Sequence, residues 1–191
     1  SPLAVERVPL LQAAGRVVAE PVCARDNVPP FRNSAMDGFA VRCQDVAHAA
    51  WDAPAVLPVA SEVAAGDPAG AALAPGTAIR IMTGAVLPLG ADAVVRFEET
   101  DEAHRTGHAP AREVRVYRPT QPGDNVREIG EDIVRGTEIA SAGQMLTPAR
   151  LGLLASVGVA EAPVHRRPVV SILSTGNEVV PPGETLPSGK I

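Results

Sequence analysis

Hydrophobic positions in this chain fall in short runs divided by proline, glycine and polar residues, and their pattern changes along its length. Pro9–Ala14 (PLLQAA) predicts a short helix stopped by Gly15 as its C-terminal cap. Val17–Ala24 then reads as a strand, with Val17, Val18, Val22 and Cys23 available for burial. In Pro29–Arg42 (PPFRNSAMDGFAVR) two prolines and the turn formers Asn33, Ser34, Asp37 and Gly38 precede an apolar run that can enter a strand. Val56–Val63, Thr77–Met82, Ala91–Phe97 and Glu113–Arg118 are further strands, each bounded by Gly, Pro or polar residues. Thr147-Pro148 supplies an N-cap and a first-turn proline for a helix whose apolar face is Leu151, Leu154 and Ala155 and whose end is Gly158. Val169–Leu173 is an aliphatic run broken only by Ser171, of the kind that forms a strand buried on both faces of a parallel sheet, and it runs out into Ser174-Thr175-Gly176-Asn177-Glu178.

These elements predict a mixed α+β, multidomain chain. The helix after Thr147 is expected to pack on the N-terminal segment, so the β-rich stretch from about Gly38 to Gly136 is an insertion into an outer domain made from the segments on either side of it. Residues 167–191 give the first strand and loop of an α/β domain, too short for a complete βαβ unit, so the chain reads as truncated.

Composition narrows the picture. The chain is 46% hydrophobic but only 3% aromatic, so Ala, Val, Leu and Ile must build its core. No apolar run approaches the roughly 20 residues of a membrane helix and Ser1 opens no signal-peptide pattern, which predicts a soluble, cytoplasmic protein. Cys23 and Cys43 lack metal-type spacing and read as small core or edge residues in a reducing compartment. A net charge of −5 argues against nucleic acid as a partner. Lys190 is the only lysine, so arginine carries nearly all positive charge, and its planar fork suits phosphate or carboxylate.

Candidate chemistry lies in four stretches. The Pro29 loop offers Arg32, Asn33, Ser34 and Asp37 between ordered elements. In IRIMTGAVLP a strand runs into Thr83-Gly84, where glycine lets backbone N–H groups turn toward a ligand and the Thr83 hydroxyl can donate to an oxyanion. NVREIGEDI brings Arg127 near Glu131 and Asp132, with Gly130 allowing a tight approach. The fourth is Ser174–Glu178. Each has an ordinary reading as a turn or a solvated charge pair. Together, Asp37, Asp132 and Glu178 offer oxygen ligands for Mg²⁺, while Thr83, Thr175 and glycine-flanked N–H groups offer donors to phosphate or another oxyanion. That combination predicts phosphoryl or nucleotidyl chemistry by electrostatics. No P-loop and no Gly-x-Ser-x-Gly elbow occurs, and His104 and His108 read as loop histidines because Gly107 and Pro110 disfavour a helix there.

PPFRNSAMDGFAVR, IRIMTGAVLPLGADAVVRFEE, NVREIGEDI and VSILSTGNEVVPPGE, in that order, resemble the molybdopterin molybdenumtransferase (MoeA) family, to which the gephyrin E domain is related. The resemblance implies insertion of molybdate into the dithiolene of adenylylated molybdopterin, with Mg²⁺-dependent release of AMP. It implies an elongated outer α/β domain of residues 1–37 and 137–166, an inserted β-rich domain of residues 38–136, residues 167–191 opening a molybdopterin-binding domain, and a homodimer whose cleft is shared between subunits. Partner proteins of molybdenum cofactor synthesis are also implied. By the same resemblance Asp37, Thr83, Asp132 and Glu178 are catalytic, with Asp37 and Asp132 also positioning the metal, and Arg127, Ser34, Thr175 and Gly176 contact substrate. Phe39 departs from the family's usual tyrosine, which removes a hydroxyl and keeps a ring. A scaffold of the gephyrin kind, dimeric and without catalysis, is the alternative implied.

Overall fold

The computed structural model describes residues 3–68, 70–104 and 112–191. His108 lies outside these residues, as does any account of the His104 side chain.

The chain opens with β1 (Val5–Pro9), paired antiparallel with β11 (Glu161–His165) from Val5 opposite His165 to Pro9 opposite Glu161. Exposure alternates along β1, Val5 and Arg7 out, Glu6 and Val8 half-buried, as a period of two requires. The helix expected at Pro9–Ala14 contracts to a 3-10 turn, Leu10–Gln12. Only Leu10 and Ala13 point inward while Leu11 is exposed, and this three-residue spacing matches the three-residue turn of a 3-10 helix. The strand expected over Val17–Ala24 is reduced to β2 (Val22–Cys23), which pairs with β10 (Glu138–Ala140). Pro21, which has no N–H to donate, separates β2 from the isolated bridges that Val17 and Val18 make with Met145 and Val164.

Helix α2 (Pro148–Ser156) forms as its caps dictate. The Thr147 hydroxyl oxygen accepts the Arg150 N–H at 3.4 Å, Pro148 fills the first turn, and Gly158 follows with φ +78°. Leu154 from this helix meets Leu10, Val18, Val22, Leu146, Val157 and Val164 in one buried cluster, drawn from both ends of the chain.

The middle of the chain forms a five-stranded sheet from β4 (Gly38–Val41), β5 (Ala55–Val63), β6 (Ala78–Ile81), β7 (Ala93–Arg96) and β8 (Glu113–Val116). A short helix, α1 (Cys43–Val46), leaves β4. The order is β7-β4-β6-β5-β8, antiparallel except for the parallel pair β5–β6. Neighbouring residues face opposite ways, so Phe39, Val41, Val95, Val114 and Val116 pack on one side and Ala40, Ile79, Ile81 and Val94 on the other. Every residue of β4 is therefore buried, and its sequence is apolar throughout. Phe39 is fully buried with its ring 5.4 Å from that of Phe97, edge to face.

The α+β expectation is met only in part. Among the described residues strands are the main regular structure, with α1 and α2 the only α-helices. With 19 prolines and 17 glycines in 191 residues, few stretches can sustain the backbone bonding a long helix needs. The strand expected at Val169–Leu173 is not formed: Val169, Val170, Ile172 and Leu173 are each at least 75% exposed. Among the described residues no strand lies beside this run to take its N–H and C=O groups, so an apolar composition alone leaves it irregular. No helix among the described residues is long and apolar enough to cross a membrane.

Candidate functional site

Three of the four stretches singled out in the sequence are joined by backbone hydrogen bonds. Within the Pro29 loop, β3 (Asn33–Ser34) pairs antiparallel with β9 (Val126–Arg127) on one side. On its other side, Ser34 N–H donates to Ala85 O at 3.0 Å, and Gly84 N–H and Leu87 N–H donate to Ser34 O and Arg32 O at 2.8 and 3.0 Å. Farther along, Gly130 N–H donates to Pro29 O and Asp132 N–H to Val28 O, both at 2.9 Å. The loop thus lies between the Thr83-Gly84 turn and the Arg127 loop, with Asp37 bonded to the first and Arg127 and Asp132 carried by the second.

Asp37 sits on this framework with its carboxylate in solvent. Thr83 donates twice to Asp37 Oδ1, from its backbone N–H and from its hydroxyl, each at 2.7 Å. These two bonds hold the Asp37 carboxyl below its ordinary pKa, the backbone bond contributing most; the Arg80 charge adds to them and slight burial opposes. Among the described residues nothing donates to Asp37 Oδ2, so an ionised oxygen remains open. The next residue fixes the approach: a Cβ on Gly38 would stand 2.0 Å from the Val95 carbonyl oxygen, so only glycine lets β4 lie this close to β7.

Arg127 is the second centre. Its Nη2 donates to Asp132 Oδ2 at 2.5 Å and its Nε to Glu131 Oε1 at 3.3 Å, the neighbourhood anticipated in the sequence. Both carboxylates raise the guanidinium pKa, Asp132 first. Arg32 closes the Pro29 loop onto this turn, its Nε 3.0 Å from both oxygens of Glu128. Sequence reasoning did not find this pair, because the partners are 96 residues apart and no local spacing relates them.

Several expectations change. Thr83 spends its hydroxyl proton and its N–H on Asp37, and Gly84 spends its N–H on Ser34, so neither is turned toward an oxyanion. Ser34 is buried, and its hydroxyl donates to Met36 O at 2.5 Å, which makes it a former of the turn rather than a ligand contact. The trio Asp37, Asp132 and Glu178 is not gathered: among the described residues no three His, Cys, Asp or Glu side chains form a metal-binding group. Asp132 is drawn to Arg127. Thr175, Gly176 and Glu178 lie in the exposed segment 167–191, whose hydrogen bonds among the described residues are all internal to residues 177–191. Cys43 is buried, as its reading as a small core residue anticipates, and burial first and Asp92 second push its thiol up to about 12. A separate concavity lined by Leu3, Arg16, His165 and Arg166 holds none of the candidate residues.

Mg²⁺ is implied by the family resemblance, and the donor set fits it in a reduced form. Mg²⁺ needs only one or two protein carboxylates when substrate supplies other oxygens, and Asp37 Oδ2 is one hard, ionised donor.

Comparison with known proteins adds the following. The family described as MoeA N-terminal region (domain I and II) matches residues 2–158. Molybdopterin molybdenumtransferase 2 of Mycobacterium tuberculosis H37Rv is 44% identical over 184 residues, covering 96% of this chain and 44% of that protein. The molybdopterin molybdenumtransferase of Synechococcus elongatus is 42% identical over 192 residues, covering all of this chain and 46% of that protein. The crystal structure of the molybdopterin biosynthesis MoeA protein of Pyrococcus horikoshii OT3 superposes with a TM-score of 0.82 at 35% identity, covering 97% of this chain and 47% of that one. The chain thus spans less than half the length of these relatives.

Proposed function

The chain belongs to the MoeA family, and from that premise we propose that it carries part of the active cleft of an enzyme inserting molybdenum into adenylylated molybdopterin, with release of AMP. The observation that supports this reading is the pairing of Thr83 with Asp37 on a loop clamped between two other family motifs. Molybdate is the inorganic substrate and adenylylated molybdopterin the organic one. The parent protein acts as a homodimer in the cytoplasm, in concert with other proteins of molybdenum cofactor synthesis.

The roles follow from charge and geometry. Asp37 stays ionised over the working pH range because two donors hold its Oδ1, and its open Oδ2 is the ligand this chain supplies to Mg²⁺. The bound metal would neutralise charge developing on the leaving phosphate. Thr83 acts on Asp37, fixing the carboxylate so that no reorganisation is needed when charge develops. Arg127 offers a planar cation to molybdate, and Asp132 aligns that cation from its far edge. Glu178, Thr175 and Gly176 act on the substrate side of the cleft.

Asp37→Ala in the full-length protein is the direct test. We expect molybdate insertion to fall about 100-fold or more, the size of a lost electrostatic contact, with dimer mass in sedimentation unchanged. Asp132→Ala should lower insertion too. Full activity in both variants would remove the site assignment.

A further inference from the structure

We propose that Glu131 is a positioning residue for Arg127, fixing the direction of its guanidinium and coupling it to the loop that carries Asp37. The inference rests on the reading of Arg127 as the anion contact. Glu131 uses both carboxylate oxygens at once: Oε1 accepts Arg127 Nε at 3.3 Å, and Oε2 accepts the backbone N–H of Glu128 at 3.0 Å. The return bond, Glu131 N–H to Glu128 O at 3.2 Å, closes the turn. A carboxylate anchored to backbone through one oxygen is a fixed acceptor through the other.

The rest of the turn is equally constrained. Gly130 sits at φ +71°, where a side chain is strained, and an added Cβ would press on Asn27 Oδ1 at 3.3 Å. Its N–H is tied to Pro29 O, and Glu128 is held by Arg32. A continuous series of bonds therefore runs from Arg32 through Glu128 and Glu131 to Arg127. With Nε held by Glu131 and Nη2 by Asp132, the guanidinium plane is set along one edge, and only its remaining N–H groups are left to a ligand. Asp132 alone, on a single nitrogen, would leave that plane free to turn about the contact.

The test uses Glu131→Gln in the full-length protein. A glutamine keeps the shape and one acceptor oxygen; with that oxygen on the Glu128 N–H, which closes the turn, its amide NH2 faces Arg127 Nε and cannot accept from it. Arginine Nε–Hε signals are followed by NMR, and molybdate alone is titrated calorimetrically. Loss of a hydrogen bond to a charged group predicts Hε exchange at Arg127 faster by about tenfold, and molybdate binding weaker by a similar factor. Backbone amide signals of residues 128–132 and the unfolding midpoint should hold. An unchanged Hε exchange rate overturns the proposal, and so does a loss that merely tracks disordering of those backbone amides. Arg127→Gln separates the two ideas. If it leaves molybdate binding intact, the anion-contact reading fails; if it abolishes binding while Glu131→Gln binds as tightly as the parent, positioning alone fails.

Discussion

Two stretches of this chain are written in the same way and end differently. Ile79–Gly84 and Val169–Gly176 each present a largely apolar run that passes into Thr-Gly, and in sequence each reads as a strand delivering a threonine to a ligand. The first becomes β6, paired on both sides by β4 and β5, and its threonine closes on Asp37. The second stays exposed and irregular, with Ile172 at 91% exposure. The difference is neighbours: a strand needs a partner for its backbone groups and cover for its apolar face, and among the described residues only the first run has them. Backbone pairing, not the Thr-Gly pair, is what turns a motif into a site.

The comparison can be broken at its strongest point first. Gly38→Ala places a Cβ against the Val95 carbonyl, which cannot move without parting β4 from β7, so a loss of about 3 kcal/mol or more is expected in urea unfolding. The matching change in the other stretch, Gly176→Ala, meets only the flexible Glu178 side chain, so its cost is the strain of a side chain at φ +120°, about 1 kcal/mol in an unpaired segment free to relax. Equal losses would mean that the two regions are equally packed.

Thr83→Val tests a smaller interaction. It removes the hydroxyl donor and keeps the N–H, and because Asp37 is exposed the loss should be about 1 kcal/mol or less at neutral pH. The sign with pH is fixed: Asp37 has its pKa lowered by folding, so its stabilisation is full above the ordinary value of 3.8 and fades as pH falls through the lower folded value. Parent and variant should converge in stability in strong acid, and ¹³C NMR should show the Asp37 carboxyl titrating at higher pH in the variant. A difference that persists unchanged to low pH would assign the effect to packing.

A double-mutant cycle between Arg32 and Glu128 should give a coupling of about 0.5 kcal/mol, as two solvated side chains allow. Leu173→Ser should change stability by less than about 0.5 kcal/mol while reducing self-association, since Leu173 is 87% exposed. A larger destabilisation would show that the 169–173 run is packed after all.

How much of this could be read in advance depended on the range of each interaction. The strands of the five-stranded sheet and helix α2 were legible because alternation, Gly-Pro boundaries and the Thr147-Pro148 cap act within a few residues. Arg127 beside Glu131 and Asp132 was legible for the same reason. The β1–β11 ribbon was not, since its two halves lie more than 150 residues apart and Val5–Pro9 is too short to announce itself. The use of Thr83 on Asp37, 46 residues away, was likewise hidden: a threonine beside glycine looks the same whether its proton goes to a ligand or to a carboxylate.

The buried cluster that joins Leu10 to Val164 has a consequence for how the polypeptide is made. As the chain leaves the ribosome, every strand of the central sheet is present once β8 has emerged, while Leu10, Ala13 and Val18 still lack Leu146, Leu154, Val157 and Val164. Domains tend to fold as units during synthesis, so the sheet is expected to form first, and the N-terminal 28 residues wait with their apolar side chains uncovered. A nascent chain stalled with β8 just clear of the ribosome and residues 146–164 still inside it or not yet made should protect β4 and β6 from protease while β1 is cut, and protection of both at that length would reverse this order. For that interval the N-terminal segment is the natural target of a chaperone that holds unfolded chains.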